Sequence, residues 1–220
     1  MKISLQSLIV SHRFMPPDIP QFIHFLATTA PPPHCENPYG CKRPFAQQRR
    51  QNLEIYLNWM VQQQPRLLLV GEAPGYRGCR LSGIPFTSLH ILAGLALPFQ
   101  PVREWPKLQR EASATIVWRT IGGWQPLPLL WNIFPFHPHQ AGQPQSNRTP
   151  TAREIAGGRP FLSQLLQIFP QVEPVAVGKK AAAALLKWGV PHTAVRHPSH
   201  GGAKQFQTAL NQLKTHPQKP

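Results

Sequence analysis

The chain of 220 residues is long enough for one α/β domain with its own hydrophobic core and short for two. Its 23 Lys and Arg residues outnumber the 8 Asp and Glu residues, and the resulting net charge of +15 predicts a polyanionic partner, with nucleic acid as the first candidate. No apolar run approaches the roughly 20 residues of a membrane span, and no Lys/Arg block lies on an amphipathic helix, so we expect no membrane partner.

The first 50 residues are predicted to form an irregular N-terminal extension, because prolines interrupt every regular pattern in them. An apolar stretch at 5–10 is followed by polar and basic residues where a secretory cleavage site needs small ones. We therefore predict no signal peptide. Three cysteines are too few for a disulfide framework in a chain of this length and indicate a reducing cytoplasm.

From residue 51 the pattern becomes regular and predicts one domain at 51–214, followed by a polar tail at 215–220. Short, fully apolar runs that end in turn residues predict buried strands at 67–70, 127–134, 172–177 and 193–195. Helical spacing or composition predicts helices at 51–64, 151–169, 179–188 and 205–213, with Pro160 kinking or restarting the second of them. The alternation of the two predicts a parallel sheet covered by helices on both faces.

Unusual polar residues stand at three of the four strand ends. A Gly-Glu-Ala-Pro-Gly turn occupies residues 71–75, Asn132 ends the second strand, and residues 197–202 follow the fourth. Each has an ordinary structural explanation: a tight connection, an amide that satisfies a loop, and a proline that ends a strand. Because ligands of open parallel sheets bind beyond the carboxyl ends of the strands, the three together predict one cleft.

In order and spacing, these residues resemble the three motifs of the uracil-DNA glycosylase superfamily. The matching segments are 71–75, 83–86, the strand with Asn132, and 197–199, with further similarity at 147–156 and 177–182. The resemblance covers roughly residues 50–214 and is closest to the iron–sulfur branch called family 4. It implies a three-layer α/β/α fold with a four-stranded parallel sheet. It also implies a monofunctional enzyme of base excision repair that hydrolyses the bond between a flipped-out uracil, or a related deaminated base, and its deoxyribose.

The same resemblance implies roles for individual residues. Phe86 is expected to stack on the base, although a core aromatic at a helix start is the ordinary alternative. Asn132 is expected to pair with uracil N3–H and O4, and His197 to stabilise the anion that develops on O2. Gly71 and Ala73 are expected to line the base pocket.

Two further sets of roles follow from the resemblance. Other branches carry an aspartate where Ala73 stands, which leaves Glu72 as the best remaining carboxylate to orient the attacking water, through its side chain or as part of a water-holding turn. The start of the last helix is expected to hold a DNA phosphate through Ser199, His200, Gly201 and Lys204. We expect a monomer that acts on single- or double-stranded uracil-containing DNA in the cytoplasm, at the nucleoid.

The chain departs from the branch in its cysteines. Phe136 and Gly158 stand where two of the four cluster cysteines belong, and Cys35 and Cys41 are separated by five residues rather than two. A four-thiolate cluster cannot be built from three cysteines, so we predict no cluster, no metal and no other cofactor. A zinc site built from Cys35, Cys41 and His34, with Cys79 or His137, stays open, although ordinary loop thiols are favoured.

The second departure concerns specificity. Gly75 and Gly78 replace a bulky residue and a glutamate found in relatives, so that Tyr76 or Arg77 is left to form the wall beside the base, and substrate breadth stays open. Ala73 and Gly78 also favour an alternative, a non-catalytic or weakly active DNA- or lesion-binding protein on the same fold. A small-molecule nucleotide hydrolase is the third candidate, and the charge of +15 argues against it.

Overall fold

The structure is a computed structural model that describes residues 18–215. The helices are α1 (Ile19–Thr28), α2 (Ala46–Gln63), α3 (Cys79–Ser82), α4 (Leu89–Gly94), α5 (Ala112–Ile121), α6 (Ala152–Ile168), α7 (Lys179–Lys187) and α8 (Ala203–Thr215). The strands are β1 (Cys35–Glu36), β2 (Leu67–Gly71), β3 (Leu129–Asn132), β4 (His137–Pro138), β5 (Glu173–Val177) and β6 (Thr193–Val195). Two sets of predictions lie outside the described residues: those for residues 1–17, among them that no signal peptide is present, and those for residues 216–220.

The predicted four-stranded parallel sheet is confirmed, in the order β3-β2-β5-β6. Every residue of β2 and β3 is buried, as expected for strands made of apolar runs between two helical layers. Strand β3 is shorter than predicted, although Ile133 N–H still donates to Gly71 O at 2.9 Å and Phe134 N–H to Glu72 O at 3.1 Å. Helices cover both faces, where α1 packs against α2 and α6 and α5 packs against α8.

The prediction of an irregular extension is wrong for part of residues 18–50, which contain α1 and the start of α2. Asp18 caps α1 by accepting a hydrogen bond from Gln21 N–H at 2.8 Å. Pro20 stands in the first turn, where its missing N–H would have had no partner, so it does not break the helix. Phe22 and Leu26 are fully buried in the main core, which ties this segment to the sheet domain.

Two helices also run further than predicted, α2 at its N-terminal end and α8 at both ends. Helix α2 begins at Ala46. Its first turns were not predicted because their buried residue, Arg49, is charged and pairs with Glu104, a contact that the spacing of apolar residues does not reveal. Helix α6 is continuous through Pro160 and does not restart there. Its capping box at Thr151 and Glu154 is formed as predicted. Within residues 18–215, no helix has both the length and the apolar character that crossing a membrane requires.

Candidate active site

Phe86 and Asn132 meet at the end of β2, over Gly71. Gly71 and Asn132 are direct partners in the β2–β3 register. A methyl group built on Gly71 would lie 2.5 Å from Phe86 Cζ and 2.6 Å from Asn132 Oδ1, so the aromatic ring and the amide fill the space of the missing side chain. The structure therefore brings three of the predicted base-pocket residues into one place.

The Asn132 amide has no protein partner in the described part of the chain. The residue is only 4% exposed, and no hydrogen bond joins its side chain to any group within residues 18–215. Most buried amides in proteins are hydrogen-bonded, so an unpaired one at a strand end is unusual. The ordinary role of satisfying a loop does not apply here. One acceptor and two donors remain for a ligand.

Phe86 is held in a strained backbone conformation next to that amide. Its φ of 53° lies in the left-handed region, which costs a non-glycine residue on the order of 1–3 kcal/mol. The surrounding structure enforces this conformation, because Trp118 Nε1–H donates to Phe86 O at 3.0 Å. Ser82 Oγ accepts from Ile84 N–H at 3.1 Å and so fixes the chain just before the ring. Phe86 is 8% exposed, which fits a core aromatic as well as a ring at the edge of a pocket.

The His197 ring has a defined tautomer, and its environment favours the neutral form. Ser199 N–H donates to His197 Nδ1 at 3.2 Å, and Ser199 Oγ lies 2.5 Å from the same nitrogen. Because a backbone N–H can only donate, Nδ1 is the acceptor and the ring proton is on Nε2. Burial, and secondarily the neighbouring His200, lowers the pKa of His197 below its usual range. The imidazole thus presents an Nε2–H donor near neutral pH.

Gly178 provides the space in which the His197 ring sits. It has φ +93°, a conformation that favours glycine, and a methyl group there would lie 3.1 Å from His197 Cβ. The ends of β5 and β6 can therefore approach closely enough for His197 to lie beside the start of α7.

A cavity of about 570 Å³ contains both predicted catalytic residues, Glu72 and His197. Ser199 and His200 also line it, as do the basic side chains of Lys179 and Arg196. Glu72 directly follows Gly71 in the chain, whereas Phe86 and Asn132 do not line this cavity. Burial raises the pKa of Glu72, while a hydrogen bond from Thr149 and the charge of Lys180 act in the opposite direction.

The remaining predicted residues lie around this cavity without all lining it. His200 and Gly201 have φ values of 52° and +75° and form the exposed turn before α8, and His200 O accepts from Arg196 Nη2 at 3.2 Å. Lys204 is exposed in the first turn of α8. Ala73 is half-buried against the core.

The iron–sulfur cluster of the similar branch does not fit the residues present. Cys35 donates to Glu154 Oε1 at 3.2 Å, and burial, followed by that hydrogen bond, raises the pKa of its thiol to about 12. Cys41 is exposed and Cys79 is buried elsewhere. A side chain at Gly158 would collide with the carbonyl oxygen of Ile133. Across residues 18–215, no group of three or more His, Cys, Asp or Glu side chains is placed to hold a metal, which leaves the zinc alternative without a site.

Tyr76 and Arg77, the residues expected to form a wall beside the base, contact each other. Arg77 lies over the Tyr76 ring, with Cζ 5.2 Å from the centroid, and the Tyr76 ring lies 6.2 Å from that of Trp105. Tyr76 N–H donates to Asn147 Oδ1 at 3.0 Å.

One carboxyl group that sequence reasoning missed lies next to this turn. Glu111, just before α5, places its side chain against Gly75 and Gly78. The only signal in the sequence is that Glu111 is one of eight acidic residues, because the segment around it carries no legible pattern.

A glycine turn, an aromatic ring, an unpaired amide and an imidazole thus lie at the strand ends of a parallel sheet, which is where ligands of such sheets bind. The family model of the uracil DNA glycosylase superfamily matches residues 59–214. The chain belongs to this superfamily, whose members act on DNA. The predicted family is thereby confirmed.

The fold is also found among solved structures. The crystal structure of SMUG2 from Pedobacter heparinus matches with a TM-score of 0.62 and 18% sequence identity, over 90% of this chain and 98% of that one. At this identity the likeness concerns the fold, and it confirms the three-layer α/β/α architecture. None of the curated proteins compared with the chain matches it.

Proposed function

We propose that this protein is a monofunctional DNA glycosylase that hydrolyses the N-glycosidic bond of uracil, or of a related deaminated base, and leaves an abasic site for base excision repair. The observation that carries the proposal is the buried, unpaired Asn132 amide beside Phe86 at the end of the sheet. We propose that the protein works as a monomer on single- or double-stranded DNA, in the cytoplasm at the nucleoid.

Base recognition would use Phe86 and Asn132 together. A base leaves the duplex to reach a protein pocket, and there it needs a stacking face and a reader for its edge. The Asn132 amide can accept from uracil N3–H and donate to O4, whereas cytosine presents the opposite pattern. A site built to hydrogen-bond one pattern rejects the other by a factor on the order of 10⁴, because buried polar groups would be left unpaired.

Bond cleavage would use the Nε2–H of His197. When the bond between uracil N1 and C1′ breaks, its electron pair stays on the base, and negative charge spreads over N1 and O2. A neutral imidazole that already points an N–H donor at O2 stabilises this charge without reorganising, and a donor of this kind contributes a factor of roughly 10²–10³ in rate. The depressed pKa of His197 supports the neutral form that this role requires.

The water that attacks C1′ would be oriented by Glu72, which lines the same cavity as His197. The neighbouring Thr149 side chain and the charge of Lys180 favour the ionised form of Glu72, against the effect of burial on its pKa. The proton lost by the water as the new C–O bond forms would pass to Glu72 or to solvent.

Phosphate binding would use the basic rim of the cavity. Lys179, Arg196 and His200 line it, and Gly201 and Lys204 are exposed in the segment that follows His200. The first turn of α8 leaves backbone N–H groups without partners inside the helix, and these groups and the net charge of +15 favour a DNA phosphate there.

The test is an excision assay on uracil-containing oligonucleotides, single-stranded and duplex, followed by alkali to break abasic sites. We expect strand breaks with the wild type and their loss with Asn132→Ala and His197→Ala. His192→Ala and Asn58→Ala are matched controls, because the His192 ring bonds to its near neighbour Val190 O, away from the cavity lining, and Asn58 is exposed on α2. Retained breaks in both site variants would contradict the proposal.

A DNA- or lesion-binding protein with little or no cleavage is the second candidate. Ala73 favours it, because no carboxylate stands where other branches carry an aspartate. Salt-sensitive binding of uracil-containing DNA by the wild type, without strand breaks in any context, would support this candidate.

A further inference from the structure

The turn between β2 and α3 (residues 72–78, the β2–α3 turn) has two glycines whose side-chain space is taken by one residue from elsewhere. A methyl group built on Gly75 would lie 3.2 Å from Glu111 Oε1. A methyl group built on Gly78 would overlap Oε2 and lie 2.8 Å from the carboxyl carbon. Neither glycine has a positive φ, and the atoms that a methyl group would meet first belong to the end of the Glu111 side chain, so a larger residue at Gly75 or Gly78 would have to displace that carboxyl.

The Glu111 carboxyl is otherwise unused. It stands at the N-cap position of α5 and does not cap that helix. Within residues 18–215 it forms no hydrogen bond and no ion pair. Glu111 is half-buried, and a carboxyl partly withdrawn from water without a protein partner costs free energy, so its placement against the turn needs an explanation.

The turn that it contacts belongs to the candidate active site. Glu72 and Ala73 lie in the turn, and Gly71 immediately precedes it. Other contacts already tie the turn down: Pro74 O lies 2.7 Å from His137 Nδ1, and Tyr76 N–H donates to Asn147 Oδ1. Asn147 Oδ1 also lies 4.0 Å from the methyl position on Gly75, so the carboxyl and the amide flank the same α-carbon.

We propose that Glu111 is a positioning residue of the active site, which holds the β2–α3 turn, and through it Glu72 and the backbone around the base, by filling the space over Gly75 and Gly78. This inference rests on the proposed glycosylase function. It assigns a role in the site to a residue of segment 98–125, in which the sequence shows no regular pattern.

The protonation state of Glu111 follows from the same placement. Burial raises the pKa of its carboxyl to about 7, so that the neutral acid fills the space below neutrality. Cys79, buried in α3, is the ionisable group that faces it, since the charge of Glu111 contributes to the raised pKa of the Cys79 thiol. Above neutrality an unpaired carboxylate would stand against the turn and loosen it.

The experiment measures kcat and KM for uracil excision from pH 5.5 to 8.5. Glu111→Ala empties the space and lowers kcat roughly 10- to 100-fold, because a displaced catalytic group loses about this much. Glu111→Gln keeps the shape, retains kcat within about twofold at pH 6, and lacks the decline above pH 7 that the wild type shows. Glu54→Ala, an exposed glutamate on α2, is the matched control.

Substitutions at Gly78 test whether the two residues share one space. Gly78→Ala should displace the Glu111 carboxyl and lower kcat. The double variant Glu111→Ala/Gly78→Ala should have a kcat no lower than that of the more impaired single variant. Gly157→Ala is the matched control, because its methyl group would meet nothing within 4 Å. Additive losses, or unchanged kcat in Glu111→Ala, would overturn the inference.

A separate binding measurement tests the positioning role of Glu111 if the proposed glycosylase function fails. If the wild type cleaves no uracil-containing DNA, the same variants are compared for their binding preference for uracil over thymine in single-stranded oligonucleotides. A preference lost in Glu111→Ala and kept in Glu111→Gln still supports the positioning role. An equal preference in all variants refutes it.

Discussion

Replacing Glu111 by Gln should change how the stability of the protein depends on pH. In the folded protein burial raises the pKa of this carboxyl from 4.5 to about 7. A raised pKa means that the unfolded chain ionises first, so the stability tied to this group is fully present below pH 4.5 and is lost as the pH rises to about 7. Glutamine has the same shape and does not ionise, so its contribution should not vary.

The magnitude follows from the size of the shift. A change of one pKa unit corresponds to about 1.4 kcal/mol, so the shift of Glu111 predicts that the wild type loses about 3 kcal/mol between pH 4 and pH 8 that Glu111→Gln keeps. Glu72 has a pKa raised by burial and contributes a slope of the same sign. The difference between the two proteins, rather than either curve alone, therefore isolates Glu111.

Urea unfolding followed by tryptophan fluorescence measures this difference, since the chain contains six tryptophans. The exposed Glu54→Gln variant should give a curve parallel to that of the wild type. Parallel curves for the wild type and Glu111→Gln would refute the burial of an unpartnered carboxyl, and with it the physical basis of the positioning role.

Three further outcomes are expected. His197→Ala should lower kcat for uracil excision roughly 10²–10³-fold with little change in KM, because the donor acts on charge that appears in the transition state; a mainly raised KM would contradict this. Asn132→Asp should lose uracil excision, because a carboxylate there cannot donate to O4; competition between uracil- and cytosine-containing oligonucleotides measures the discrimination. Glu154→Gln should cost about 2 kcal/mol at pH 7, because hydrogen bonds from Arg148 lower the pKa of this carboxyl to about 2; unfolding should show the cost shrinking as the pH falls from 4.5 towards 2.

The four parallel strands could be predicted from the sequence, because a strand buried on both faces must be apolar along its whole length and the four runs are short and bounded by turn residues. The capping box at Thr151 could be predicted for a similar reason, since its partners are three residues apart. Helix α1 was missed because Pro20 is read as a helix breaker, and its position in the first turn becomes visible only with the cap at Asp18.

The residues of the candidate site could be named from their places at strand ends, but their chemical state could not. Local sequence says that Asn132 ends a strand; only the packed structure leaves its amide without a partner. The tautomer of His197 is set by Ser199, two residues along the chain, but the lowered pKa of its ring comes from burial, which only the fold creates. Regular elements and turns depend on neighbours a few residues away in the chain, so the sequence predicts them. Burial and the lack of a hydrogen-bond partner depend on residues that only folding brings together.

The contact of Glu111 with the β2–α3 turn could not be predicted from local sequence at all. It reaches a turn more than thirty residues earlier in the chain, and nothing in its neighbourhood in the sequence marks it. Composition and local pattern determined the sheet, the basic surface and the three polar strand ends of this protein. Tertiary packing decided which carboxyl group enters the space left by Gly75 and Gly78, because such a contact depends on how α5 docks beside the sheet and not on any local rule.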